Sequence, residues 1–261
     1  MSPPYFWDIA LLVGVVGMSV GVAYLYRPAH KALILSLPIP SSLALLSLGE
    51  NVNASNVLGL TLLLLFTHTV RLLYVNVGIG IVPAIAAGVL VYCALGIGLQ
   101  KIYPMTQAGF IVALVWNYLL AGLMMRYFPH RDEPGQRSQM PVGLKVIILT
   151  AVISGLIFLK RQLGGFMTAF PMVGVVTAYE GRHSLWSLCR QIPLIMMTMG
   201  AVNLVIYCLT PCLGLGTALA VALGLFVVIM TPLHRYQWNR KNDNDSGNNG
   251  SGTPANRAWL D

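Results

Sequence analysis

The sequence predicts an all-α protein that crosses a membrane several times, and three observations predict this fold class. Hydrophobic residues make up 56% of the 261 residues and charged residues only 9%, whereas soluble domains are about 25% charged. The mean hydropathy is +0.72. Apolar runs separated by short polar turns recur along the chain, and an apolar run of about 20 residues spans a bilayer as a helix. We therefore expect a polytopic membrane protein without a large soluble domain.

About nine transmembrane helices are expected. In chain order they cover residues 9–26, 32–48, 56–74, 77–99, 107–127, 142–158, 164–179, 188–209 and 213–233. No Lys or Arg precedes Arg27, so the first apolar run is expected to be a retained helix rather than a signal peptide. Residues 237–261 are polar, rich in Gly, Asn and Ser, and lack helical periodicity. We expect a disordered cytoplasmic tail there.

The distribution of Lys and Arg over the loops predicts the orientation. Basic residues concentrate in the loops that would share one side with Arg27 and Lys31, and such loops are normally cytoplasmic. The N-terminus is then outside and the C-terminus inside. Lys160 and Arg161 fall on the opposite side and do not follow the rule. The loops also account for the net charge of +8, so no nucleic-acid partner is expected.

The two halves of the chain match one another at an offset of 133 residues. Pro38 falls on Pro171 and Tyr74 on Tyr207 without gaps. The segments LPIPSSLALLSLGE and FPMVGVVTAYEG are both apolar, broken by proline, and closed by a turn with Gly and Glu. This pattern predicts an internal repeat.

The repeat predicts the domain organisation. Residues 1–101 would form a first four-helix repeat, 102–141 a linker helix and cytoplasmic loop, and 142–236 a second four-helix repeat. Equivalent helices of the two repeats are five spans apart. Because five is an odd number and each span crosses to the other side, the second repeat would enter the membrane in the opposite sense. Two inverted repeats are the layout of many secondary transporters, whose sites lie near the midplane at broken helices.

The second repeat resembles the GlpM family of small four-helix bacterial inner-membrane proteins. The resemblance rests on a small-residue pair, a Phe-Pro within the second helix, and an acidic-basic turn before the third: Gly164, Gly165, Phe170, Pro171, Glu180 and Arg182. The first repeat matches more loosely, through Leu37 and Pro38, and lacks the basic residue of that turn. The resemblance implies a fused, duplicated four-helix unit in the inner (plasma) membrane of a bacterium, and it implies little about activity.

The span 56–74 carries the first candidate site. His68 and Arg71 are three positions apart and therefore share one face of the helix, with Thr67 beside them. A cation inside a span costs about 2.5–3.5 kcal/mol on the insertion scale, so it normally has a partner. In one interpretation Arg71 holds a carboxylate or phosphate and His68 titrates. In the other, Arg71 extends to the headgroup layer and His68 is a hydrogen-bonded core residue.

The proline breaks define a second group of candidates. Pro38 and Pro171 each free a backbone carbonyl within a span, and that carbonyl must find another partner. Ser41 and Thr177 lie close by and supply hydroxyl groups. In transporters such breaks line the binding site, whereas in other helix bundles they only kink the helix.

Glu50, Glu180 and Asn203 complete the candidates. The two glutamates close the Pro-broken helices, where a carboxylate could bind a cation or pair with an arginine. The alternative is a pair of solvated turn residues. Asn203 matches Val70 in the repeat and is therefore expected beside Arg71, as a buried amide that needs a partner.

These patterns favour a small secondary transporter or permease that moves a small solute, anionic if Arg71 binds it. The alternative is a non-transporting membrane subunit that assists an envelope or polymer-export complex. An enzyme is not expected, because no acid/base, nucleophile or metal motif occurs in the sequence. No cofactor or metal is implied. The expected partners are the lipid bilayer, the solute and a second copy of the chain in a homo-oligomer.

Overall fold

The computed structural model describes residues 4–24, 37–127, 141–182 and 184–248, and every regular element in these ranges is helical. The helices are α1 Pro4–Tyr24, α2 Ile39–Leu48, α3 Ala54–Arg71, α4 Ile81–Ile102, α5 Gln107–Tyr127, α6 Val142–Leu163, α7 Met172–Glu180, α8 Leu185–Leu213 and α9 Leu215–Asn248. A π-helical turn, Leu72–Asn76, follows α3, and a 3₁₀ segment, Gly164–Ala169, follows α6.

Six segments are long and apolar enough to cross a membrane, judged by length and composition. They are Ala54–Asn76, Ile81–Ile102, Gln107–Tyr127, Val146–Ala169, Leu185–Leu213 and Leu215–Pro232. Two shorter apolar helices are Phe6–Gly21 and Ile39–Leu48. The prediction of a multi-pass helical protein is confirmed. The count of about nine spans and the inverted repeat stay predictions.

Helix α3 is the central element, because it packs against α4, α5, α8 and the 3₁₀ segment. A capping box fixes its first turn: Asn53 Oδ1 accepts from the Ser55 amide at 2.9 Å, and Asn56 Oδ1 accepts from the Asn53 amide at 2.8 Å. These bonds satisfy amides that would otherwise lack partners at the start of a buried helix. Of its 18 residues, the structure buries 11.

The expected span 164–179 is not one continuous helix. Gly164, at φ +51°, ends α6, and the 3₁₀ segment then runs to Ala169. The chain is extended at Phe170, with ψ 135°, and α7 begins after Pro171. Proline has no amide hydrogen and is tolerated at the start of a helix but not inside one. The span is therefore a broken helix.

Helix α2 also begins directly after a proline, Pro38, and ends at a left-handed Gly49 with φ +67°. Its last turn contacts Asp8 and Lys160 through Ser47, at the end of the molecule where α3 begins. We call this end the Asp8 face.

Helix α7 runs in the opposite direction. It leads through a short turn into α8, where Trp186 meets Arg71 at the other end of α3. We call this end the Arg71 face. Helices α2 and α7 therefore have their first turns in the interior and their last turns at opposite ends of α3.

Helix α9 continues to Asn248, past the point where the sequence predicts a disordered tail. No Pro or Gly occurs between Pro232 and Gly247, so the chain holds no strong helix breaker there. Residues 249–261 lie outside the described residues, as do the loop with Arg27 and Lys31 and the first part of the expected span 32–48.

A candidate site between two broken helices

A cavity of about 110 Å³ lies where the first turns of α2 and α7 approach one another. Both helix-starting prolines, Pro38 and Pro171, line it. The walls come from α2, α3, the 3₁₀ segment, α7 and α8, and include Ser41, Leu60, Leu63, Thr67, Thr168, Gly174, Leu188, Gln191, Ile195 and Met199. No charged side chain is among the lining residues that the structure describes.

The backbone gives the cavity its polarity. In α7 the first helical bond runs from the Val175 amide to the Pro171 carbonyl at 2.9 Å, and in α2 from the Ser42 amide to the Pro38 carbonyl at 2.9 Å. Proline removes the amide at positions 38, 40 and 171, and the Met172 amide donates to the Phe170 carbonyl at 2.7 Å. Two amides in each first turn therefore remain without an acceptor in their own helix: those of Ile39 and Ser41 in α2, and those of Val173 and Gly174 in α7. Each helix start also carries about half a positive charge from the aligned peptide dipoles. Two such starts make the cavity electropositive without a cationic side chain.

The hydroxyl groups in the lining donate to the backbone. Ser41 Oγ donates to the Pro38 carbonyl at 2.8 Å, Thr67 Oγ1 to Leu64 at 2.9 Å, and Thr168 Oγ1 to Gly165 at 2.8 Å. Their protons are therefore already used. The amides of the helix starts are the natural hydrogen-bond donors to an occupant of the cavity.

Helices α3 and α4 supply hydrogen bonds to the 3₁₀ segment. Asn56 Nδ2 donates to Thr168 Oγ1 at 3.2 Å, and the Tyr92 hydroxyl donates to the Phe166 carbonyl at 2.7 Å. Tyr92 is 1% exposed, so this bond lies in the protein interior. Irregular backbone is tolerated at membrane depth only where protein or water satisfies its polar groups. Asn56 and Tyr92 supply hydrogen bonds to this irregular backbone. They thereby fix the part of the cavity wall that carries Thr168 and Phe170.

Tyr92→Phe is expected to lower the free energy of unfolding by about 1–2 kcal/mol, near the upper end for a hydrogen bond within a membrane protein. The substitution removes the hydroxyl and leaves the Phe166 carbonyl without that donor. Unfolding by SDS titration in mixed micelles measures the change. Tyr127→Phe is the matched control, because Tyr127 is 68% exposed. Equal stability of the two variants would contradict the supporting role of Tyr92.

The structure brings four of the predicted site residues together at the cavity: Pro38, Ser41, Thr67 and Pro171. Thr177, one turn further along α7, is buried and donates to the Val173 carbonyl at 2.9 Å. It does not line the cavity.

Arg71 does not line the cavity. Its guanidinium carbon lies 4.2 Å from the centroid of the Trp186 ring. His68 is half-buried, with Nδ1 2.9 Å from the Leu64 carbonyl. Both side chains belong to the Arg71 face, and Thr67 is the member of that predicted group that lines the cavity.

The remaining candidates lie apart from the cavity. Glu50 is exposed in the turn after α2, as a solvated turn residue would be, whereas Glu180 is only 5% exposed at the end of α7. Asn203 is buried within α8. The structure therefore places the two glutamates in different environments, although the repeat matches their positions.

An ion pair that sequence analysis missed ties three elements together at the Asp8 face. Lys160 Nζ lies 2.7 Å and 2.8 Å from the two carboxylate oxygens of Asp8, and Ser47 Oγ donates to the same carboxylate. Asp8 starts an apolar helix and Lys160 ends another. The available signal was a lone acid at the start of one apolar segment and two adjacent basic residues, Lys160 and Arg161, at the end of another.

The architecture defines a polytopic helical membrane protein. Comparison with family models, with curated proteins and with solved structures finds no match. The resemblance of the second half to the GlpM family therefore stays an expectation. Within the described residues, no group of three His, Cys, Asp or Glu side chains could hold a metal ion.

Proposed function

We propose that the protein is a small secondary transporter or permease that moves a small anionic solute by alternating access. One observation carries the proposal: the first turns of two oppositely directed half-helices line the same half-open cavity. Broken helices that begin at the middle of a membrane are costly in a merely structural bundle, because their terminal amides need partners. Secondary transporters use such helix starts to bind substrate.

The electrostatics of the cavity favour an anion. Helix starts attract negative charge through their dipoles and free amides, and no carboxylate stands among the described lining residues to oppose it. The remaining walls are mainly Leu, Ile, Met, Pro and Phe side chains. A small monovalent anion with an apolar part, such as a short carboxylate, matches both features.

The size of the cavity suits a small solute. Its volume of about 110 Å³ is several times the roughly 10–15 Å³ that one water molecule requires on the same measure. A short carboxylate therefore fits this space.

The proposed mechanism is a rocking of the two inverted units against one another. Helix α2 belongs to the first unit and α7 to the second, so relative rotation changes the distance between their first turns. Rocking in one sense would open the cavity toward the Asp8 face, and rocking in the other toward the Arg71 face. Inverted units make the two openings equivalent in structure.

The test is solute flux in vesicles reconstituted with the full chain. Uptake of labelled acetate, lactate, nitrate and phosphate would be measured against protein-free vesicles. Ser41→Phe places an aromatic ring where Ser41 lines the cavity, and we expect flux to fall by about tenfold or more because the ring fills the binding volume. Ser154→Phe, on an exposed position of α6, is the matched control and should retain flux.

Two results would overturn the proposal. One is flux no greater than in protein-free vesicles for every solute, which would favour the non-transporting subunit. The other is equal flux in Ser41→Phe and Ser154→Phe, which would show that the cavity is not the path. Thermal unfolding of both variants in detergent establishes that Ser41→Phe is folded when its flux is measured.

A further inference from the structure

Among the residues that the structure describes, Arg71 contacts one aromatic ring and no carboxylate. Its guanidinium carbon lies 4.2 Å from the centroid of Trp186. No hydrogen bond, ion pair or second ring contact reaches Arg71 from the residues that the structure describes. The side chain is half-buried at the end of a membrane-crossing segment. A cation in such a place normally pairs with a carboxylate or another anion.

The contact with Trp186 leaves the hydrogen-bond donors of the guanidinium without acceptors, because an indole ring offers none. A guanidinium ion binds an aromatic ring through its flat face. Its five N–H donors lie in the plane of the ion and point outward, in the fork geometry that matches carboxylate and phosphate oxygens. Trp186 therefore holds Arg71 by a cation–π contact at 4.2 Å and accepts no conventional hydrogen bond from it. The site is set up for an oxyanion.

The position of Arg71 connects it to the cavity. Leu60, Leu63 and Thr67 line the cavity from one stripe of α3, and Arg71 comes four residues after Thr67. Residues four apart lie one above the other on a helix. Arg71 thus continues the stripe by one turn toward the Arg71 face. On the facing helix, Trp186 lies two residues before Leu188, which lines the cavity.

We propose that Arg71, oriented by Trp186, binds a carboxylate or phosphate group at the Arg71 face. The group belongs either to a free small anion or to the headgroup of an anionic lipid, and the chemistry of recognition is the same. Binding does not depend on transport. A role as the entry point to the cavity rests on the proposed function.

The experiment measures equilibrium binding to the full chain in nanodiscs. In the first arm the lipid is phosphatidylcholine, and sodium acetate or inorganic phosphate is titrated by calorimetry. In the second arm the nanodiscs also contain phosphatidylglycerol, and the phosphatidylglycerol that stays bound to protein after delipidation is counted by mass spectrometry. Arg71→Gln is compared with Arg126→Gln, the matched control, because Arg126 is exposed in the last turn of another span.

Arg71→Gln is expected to weaken acetate or phosphate binding by about tenfold or more, or to reduce retained phosphatidylglycerol by a similar factor. Arg126→Gln should leave both unchanged. An effect in the first arm assigns a free anion, and an effect in the second assigns a lipid. Arg182 follows α7 and Arg190 lies in α8, near the same face, and both could also bind anions. The binding attributed to Arg71 is therefore the difference between Arg71→Gln and Arg126→Gln.

Arg71→Lys and Trp186→Leu keep the inference falsifiable if Arg71→Gln is poorly folded. Arg71→Lys retains the charge but loses the planar fork, so a several-fold loss is expected. Trp186→Leu removes the orienting ring and should also weaken binding. If none of these variants differs from Arg126→Gln in either arm, the proposed site does not exist. That outcome would leave the transport proposal standing, because it is tested by flux through the cavity.

Discussion

Replacing Lys160 by methionine is expected to lower the free energy of unfolding by about 2–3 kcal/mol, because Asp8 would lose the cation with which it pairs. The full range for a buried pair is about 3–5 kcal/mol, and the estimate is lower here because solvent reaches both side chains. Their exposed fractions are 22% for Lys160 and 13% for Asp8. SDS titration in mixed micelles measures the change.

The neighbouring residue supplies the control for this prediction. Arg161 is basic, lies in the same turn of α6 and is exposed, so Arg161→Met should change stability by less than about 0.5 kcal/mol. The double variant Asp8→Asn with Lys160→Met should recover part of the loss, since no charge is then left unpaired. If Lys160→Met is as mild as Arg161→Met, the ion pair does not stabilise the fold.

Replacing Gly165 by alanine is expected to cost about 3 kcal/mol, at the top of the usual range for overpacking. An added Cβ would lie 2.2 Å from Ser55 Oγ and 2.6 Å from Asn56 Oδ1. Neither atom can retreat freely. Ser55 Oγ bonds Asn53 Oδ1 at 2.6 Å, and Asn56 Oδ1 accepts the Asn53 amide at 2.8 Å. The methyl group would therefore disrupt the cap of α3 as well as the 3₁₀ segment.

Gly155→Ala is the control for this second prediction. Nothing lies within 4 Å of a Cβ at Gly155, which is exposed in the middle of α6. Alanine favours a helix interior over glycine by about 1 kcal/mol, so this variant should be neutral or more stable. Thermal unfolding of both variants in the same detergent gives the comparison. If Gly165→Ala and Gly155→Ala unfold at the same Tm, the 3₁₀ segment is not tightly packed.

The fold class and the break points could be predicted because both are local properties of the sequence. Composition indicates the membrane, and Pro38 and Pro171 mark where helices begin. The 3₁₀ segment was missed because its residues, GGFMTA, are as apolar as any span. Their departure from the α-helix begins at Gly164, which has a positive φ and where an added Cβ would lie 2.8 Å from Gln100 Nε2.

The contacts of the charged residues could not be predicted. Asp8 and Lys160 are 152 positions apart, and no local pattern joins them. Likewise, the sequence identifies Arg71 as a cation in a span, but only the fold shows that, within the described part of the chain, it contacts Trp186 and no carboxylate.

The dependence of the 3₁₀ segment on Asn56 and Tyr92 has a consequence for biogenesis. Both residues leave the ribosome before Gly164 does, so the groups that satisfy this stretch are already in the bilayer when it arrives. A carboxy-terminal fragment made alone would lack both donors, so we expect it to be less stable in the membrane than the same residues are in the full chain.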